Sequence, residues 1–384
     1  MADDVPVASV KIEGIETFSN VEVVDVEDSD RLIDKATVVF DDTAGVAAAT
    51  MLEQRNIVIE LGWTKESARV FEGVVWRVKT EARGFGHGTR QRVTLVALDP
   101  SYKLNQGEAK PKVHAPGKLG DILRGILAPH QLPVGQIRLA EEPEFKPEAP
   151  LVQGPVTDWA FIQELAVRYR ARAFVEVNGD KSQFYFVSEK FLLDGDPVGQ
   201  LTYVHGSGPL IDFTYQRVAS AAAPVQSAGL TDPLTGMPLQ KKAAPPPPEP
   251  PLSADPDEKS RLDRLGAGAG SLYSDVVDVV SKAAGKVEEA RAAEFVAGLP
   301  SDPDLAEMAV QQDPTRALGF IGHGTVVGNV NLRAKGKITI EGIAPWAQGD
   351  WYVRRVNHQV TQGSGVDRHG RPNGMYHTRF VVTR

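Results

Sequence analysis

His358, His369 and His377 fall in one region near the end of the chain, and a fold that brought three neutral imidazoles together would make a zinc site of them. No HExxH frames them, and the chain has no cysteine, which removes thiolate nucleophiles, disulfides and sulfur-ligated metals in one step. His358 alternates with Tyr352 and Val360 on an expected strand, the setting of a hydrogen-bonded structural histidine, and His369 lies in a loop-like AspArgHisGlyArgProAsnGly sequence. Asp25, Glu27, Asp28 and Asp30 offer hard oxygen ligands for calcium. They lack the glycine and bidentate glutamate of a calcium loop, so a solvated strand end or turn is expected. Glu141, Glu142 and Glu144 offer the paired carboxylates of a glycosidase. They sit in a proline-flanked hydrophilic loop where nothing would raise a carboxyl pKa by burial. Two glycine-rich stretches, GlyPheGlyHisGly at 84–88 and GlyAlaGlyAlaGly at 266–270, lack the helix or lysine that a phosphate loop requires and read as a hairpin tip and a linker. The residues therefore point to no catalytic group, cofactor or metal.

The elements around these residues explain the silence. Over 5–104 apolar residues recur with period two: Ile57, Ile59 and Leu61; Val74, Trp76 and Val78; Val93, Leu95 and Ala97. Short alternating segments separated by Gly and Asp indicate an antiparallel sandwich or barrel, in which Trp63 and Trp76 are expected to pack. Residues 118–129 read as a short helix ended by Pro129. A second helix over 157–170 has Thr157 as N-cap and Asp158 at the positive end of its dipole, with Trp159, Ile162, Leu165, Ala166 and Tyr169 on one face. A hairpin turning at Asn178-Gly179 follows. From 219 to 256 the composition collapses into Ala, Pro, Ser and Gly, with ProProProProGluProPro at 245–251, a polyproline-type spacer. Weakly periodic residues 257–298 suggest one or two helices. Strands then resume, with Tyr352, Val356, His358 and Val360 on one face and Tyr376, Thr378, Phe380 and Val382 on another.

The chain has 384 residues and a net charge of −8, so non-specific attraction to nucleic acid or an anionic membrane is disfavoured. No apolar run is long enough to span a bilayer, and the N-terminus has no signal-peptide pattern. Synthesis in the cytoplasm without export by a standard signal is expected.

The order of the pieces carries a resemblance. The helix opened by Asp158-Trp159, the following PheValGluValAsnGlyAsp and PheTyrPheVal strands, the segment 201–216, and the closing GlyLysIleThrIleGluGlyIle, GlyAspTrpTyrValArgArgValAsnHisGlnVal and TyrHisThrArgPheValValThrArg stretches together resemble the phage late control protein D family. That family comprises baseplate hubs of contractile phage tails and the hub portion of type VI secretion spike proteins. Residues 150–217 and 318–384 match it well, the first β region loosely, and 219–317 not at all. In the final strand Gly374, Met375, Tyr376 and Thr378 occupy the place of the family's usual glycine-tyrosine-threonine pattern in slightly altered form.

The resemblance implies a mainly β fold with α+β parts. A first β-barrel domain is expected at 1–105, an α+β middle domain at 106–200, and a second barrel assembled from 201–218 and 319–384. A Pro/Ala-rich linker with a helical insert would occupy 219–318. It also implies a homotrimer whose six similar barrels meet a hexameric tail tube protein and whose other end meets a trimeric spike. Because the sequence stops at Arg384, directly after the last strand, that spike is expected to be a separate protein, alongside other baseplate proteins. On this reading Trp159, Ile162, Leu165 and Tyr169 brace the barrels, and Trp351, Tyr352, Val356, His358, Tyr376 and Phe380 build the closing strands. Two rivals from other classes are a tail-tip peptidoglycan hydrolase using the 141–148 loop or the C-terminal histidines, and a carbohydrate-binding β-sandwich.

Overall fold

A computed structural model describes residues 5–13, 20–42, 45, 53–85, 88–107, 109–204, 208–217, 225–227, 294–296, 320–344, 347–366 and 372–384. The proline run at 245–251, the 266–270 glycine string, most of the 257–298 stretch and His369 lie outside the described residues, as do two residues and the side chains of the 84–90 hairpin tip.

The alternating N-terminal segments form β1 (Pro6–Ile12), β2 (Val21–Ser29), β3 (Lys35–Asp41), β4 (Asn56–Trp63), β5 (Glu66–Phe85) and β6 (Gly88–Leu98). They pair in the order β1-β4-β5-β6-β3-β2 with every neighbour antiparallel. The inward residues Ile57, Ile59, Leu61, Val93, Leu95 and Ala97 are buried together with Val24, Val26 and Val38, the burial that period-two strands demand. β5 departs from the expected phase. A bulge between Val75 and Arg77 places Val74 and Val75 inside and turns Trp76 outward, 43% exposed, with the Arg77 guanidinium 5.4 Å from its ring centre.

A 3-10 turn at Pro100–Asn105 leads into the middle region: β7 (Lys112–Val113), β8 (Gly117–Lys118), α1 (Leu119–Leu127), β9 (Val134–Arg138), β10 (Glu144–Phe145), β11 (Val152–Gln153), α2 (Asp158–Arg168), β12 (Ala171–Asn178), β13 (Lys181–Ser188) and α3 (Glu189–Asp194). α1 stops two residues earlier than expected, and Pro129 sits in a separate 3-10 turn, Ala128–His130. Its N-cap Lys118 offers no side-chain acceptor. Glu142 reaches across instead and accepts from the Gly120 N–H at 3.2 Å. α2 begins where Thr157 Oγ1 accepts from the Ala160 N–H at 3.2 Å. Its apolar side, Trp159, Phe161, Ile162, Leu165 and Ala166, shares a core with Ala173, Val175, Phe184 and Phe186 of the β12-β13-β9 sheet.

The chain returns as β14 (Pro197–Thr202) and β15 (Leu210–Arg217). β16 (Val225–Ser227) pairs in parallel with β17 (Glu294–Val296), so this part of the expected helical stretch is strand. β18 (Phe320–Val327), β19 (Lys337–Glu341), β20 (Gly349–Val366) and β21 (Pro372–Thr383) complete it. β14, β19, β20, β21, β18 and β15 are successive neighbours around Leu201, Val326, Ile340, Trp351, Val356, Phe380 and Val382.

The two β units share strands. Arg355–Thr361 of β20 pairs with β2, while Gly349–Tyr352 pairs with β19, and β21 pairs with β20 from Tyr352 to Val366 and with β18 on its other edge. Val360 and Tyr376 therefore belong to the first core, and Val356 and Phe380 to the second. No helix among the described residues is long and apolar enough to cross a membrane.

Candidate functional site

The two β units and the middle region meet at a buried ionic joint. The loop between β18 and β19 carries Lys335 with its side chain 3% exposed. Its Nζ lies 2.5 Å from Asp28 Oδ1, 3.0 Å from Asp34 Oδ2 and 3.0 Å from Glu176 Oε2. Asp28 comes from β2, Asp34 from the turn before β3 and Glu176 from β12, so one ammonium ties three segments. Backbone groups complete the joint. Asp28 Oδ2 accepts from the Ala334 N–H at 2.9 Å, Asp34 Oδ1 from Ser29 N–H at 2.8 Å, and Asp99 Oδ2 from Asp34 N–H at 2.6 Å. Arg333 donates to the carbonyls of Val70 and Arg69 on β5, both at 2.8 Å, and lies 3.8 Å from Glu176. Lys335 holds φ at 68°, a left-handed conformation that costs an L-residue energy and that its contacts outweigh.

The carboxylate atoms of Asp28, Asp34 and Glu176 lie within 4.8 Å of one another, a spacing suited to a metal ion, but the Lys335 ammonium contacts all three. Burial penalises that ammonium, yet the surrounding carboxylates, Asp28 first, outweigh it and hold its pKa well above the ordinary lysine value. Burial also acts on Asp28, where Lys335 and Arg333 prevail and the pKa is lowered. In Asp34 and Glu176 burial prevails and the pKa is raised, and Asp99 is pushed up to about 6 by burial. A second ion group adjoins it: Arg172 pairs with Glu189 and lies 3.6 Å from Asp30. Two of the four acidic residues expected to be solvated are thus internal, Asp28 2% and Asp30 4% exposed, while Asp25 and Glu27 are half-buried. The available signal was phase: Asp28 continues the inward alternation of Val24 and Val26.

His358 occupies the seam between the two β cores. It is 0% exposed, its Nε2 faces the Leu332 carbonyl at 3.1 Å, and its Nδ1 faces Thr378 Oγ1 at 3.1 Å and Tyr376 OH at 3.0 Å. Nε2 therefore carries the proton and Nδ1 accepts. Burial, with the nearby Arg333 charge, lowers the imidazole pKa to about 3, leaving it neutral. His377 points away from the face on which Thr378 meets His358, so these two histidines do not converge. Glu141 and Glu144 remain exposed.

The other singled-out residues distribute as follows. Trp159, Ile162, Leu165 and Tyr169 lie together in the middle core. Trp351 packs edge-on to Phe213 at 5.5 Å, and its Nε1 donates to the Ala347 carbonyl at 3.0 Å. Tyr352 does not share the face of Val356 and His358. A bulge between Val353 and Arg355 inverts the alternation, so Tyr352 packs on Leu193 instead. Lys335, Asp34, Asp99 and Glu176 were not evident from the sequence.

No family model matches the chain, and no curated protein matches it. Solved structures do. A tail protein from Neisseria meningitidis MC58 superposes with a TM-score of 0.60 at 11% identity, covering 100% of this chain and 97% of the other. The 43 kDa tail protein of prophage MuSo2 from Shewanella oneidensis gives 0.57 at 10% identity, covering 99% and 98%. The E. coli c3393 protein, described as a component of the type VI secretion system with structural similarity to bacteriophage T4 tail proteins gp27 and gp5, gives 0.54 at 12% identity, covering 97% of this chain and 76% of that one. The chain is similar to these in fold, a mainly β tail-protein architecture.

Proposed function

We propose that the chain is the structural hub of a contractile tail or injection-system baseplate, a homotrimeric symmetry adaptor joining a hexameric inner tube to a separate trimeric spike. The observation that carries this reading is the sharing of β20 and β21 between two β units. Strands common to both cores, with Lys335 bonded to both β2 and the middle region, fix the relative orientation of the two units within one subunit. Three such subunits would present six comparable β units, the number a hexameric tube requires, while retaining threefold symmetry for a spike.

The likeness in fold to phage tail proteins and to a type VI secretion component supports the tail or injection-particle setting. The role is non-enzymatic on this reading: the buried ionisable groups of the joint and His358 are engaged with one another rather than held ready for a substrate. Other baseplate proteins would contact the outer surface.

Light scattering on the purified chain, with and without tube protein, tests this. A trimer that caps tube ends is expected. A monomer that stays indifferent to both tube and spike proteins would overturn the adaptor reading.

A further inference from the structure

Two of the four described non-glycine residues with left-handed backbone, Gln54 (φ 67°) and Gln131 (φ 54°), line the same cleft. The cleft, of about 420 Å³, opens where the first β unit meets the middle region, and Asn56, Tyr102, Gln106 and His130 also line it. Gln106 lines the cleft with them, all three glutamines are exposed, and no side-chain hydrogen bond joins any of them to another described residue. Glycine satisfies a left-handed turn without steric cost, whereas glutamine strains it. What glutamine adds at both positions is a side-chain amide on a residue that lines the cleft.

Behind the cleft the polar groups are fixed. His130 Nε2 lies 2.9 Å from Asp158 Oδ2, and Gln153 Nε2 donates to Asp158 Oδ1 at 3.0 Å. Gln153 Oε1 in turn meets His114 Nε2 at 3.1 Å. These hydrogen bonds hold the His130 ring in one orientation at the cleft wall, and Tyr102 brings an aromatic residue to the lining.

We infer that this cleft is a binding site for a short oligosaccharide. Carboxamides that both donate and accept suit vicinal hydroxyl or acetamido groups, and an aromatic ring suits the apolar face of a sugar. The site is independent of the hub role.

Calorimetric titration of the full chain with chitotetraose and, separately, maltotetraose tests the assignment and distinguishes an acetamido-bearing from a hydroxyl-only ligand. Saturable binding of at least one is expected, weakened about tenfold or more in Gln54→Gly and Gln131→Gly. Both variants should keep the wild-type melting temperature, because glycine relieves the backbone while removing the amide. Gln106→Ala, outside either strained turn, should weaken binding in the same way. No saturable binding of either glycan, or binding unchanged in all three variants, overturns the proposal.

Discussion

Lys335 Nζ lies 2.5 Å from Asp28 Oδ1 although 307 positions separate the two residues. The contact joins the loop before β19 to β2, and the same nitrogen reaches Glu176 on β12 at 3.0 Å. Replacing Lys335 by methionine would leave Asp28, Asp34 and Glu176 buried without their cation. Removing one partner of a buried ion pair costs about 3–5 kcal/mol. Lys335→Met is therefore expected to lower stability by that amount in urea unfolding, and Asp28→Asn in the same chain to recover part of it. A loss below about 1 kcal/mol would show that solvent reaches the joint.

His358 gives a pH dependence of known sign. Its folded pKa of about 3 lies below the ordinary 6.5, so between these values the unfolded chain binds a proton that the folded chain does not. Stability from this group is fully present above pH 6.5 and is lost as pH falls toward 3, by up to about 5 kcal/mol. Asp99, raised from 3.8 to about 6, acts oppositely over its own window. Comparing wild type with His358→Gln, which retains Asp99, isolates the histidine. The variant is expected to be less stable at pH 7 yet to lose less on acidification. Parallel stability–pH curves would mean that His358 is not held neutral.

Period and capping made α2 legible: Thr157, Trp159, Ile162 and Leu165 are close enough in sequence for the pattern to show itself. The strands of the first unit were legible for the same reason. Bulges were not, because one extra residue at Val75/Arg77 or Val353/Arg355 reverses every face beyond it and leaves no composition signal. Nor was the joint, since a lysine in a glycine-flanked loop and an aspartate in an acidic run read as surface until the fold pairs them. The parallel pairing of β14 with β19 is likewise non-local and was not anticipated.

Gly328 is required by close approach. A Cβ there would lie 2.0 Å from the Tyr376 ring, which also packs 5.8 Å from Trp63, whose Nε1 donates to the Gly328 carbonyl at 2.9 Å. Gly328→Ala must displace Tyr376 and with it the hydroxyl facing His358. Overpacking of this kind costs about 1–3 kcal/mol. The expected result is a lower melting temperature and a changed tryptophan emission. Unaltered values for both would show that the ring can move freely.

Arg217 at the end of β15 and Phe320 at the start of β18 are directly opposed partners. The chain between them therefore leaves and re-enters the sheet at one point, the geometry of a hairpin whose connection has been lengthened. The described residues of the second core, from Leu201 and Leu210 to Val326 and Phe380, lie outside that connection. Replacing 218–319 by a short glycine-containing turn should then leave the β units folded. Shortening a connection from ~100 to ~5 residues lowers the loop-closure cost by up to about 3 kcal/mol. An unchanged or raised unfolding midpoint is the expected outcome. A lower midpoint or loss of cooperative unfolding would mean that the connection contributes packing to the sheet rather than only spanning its end.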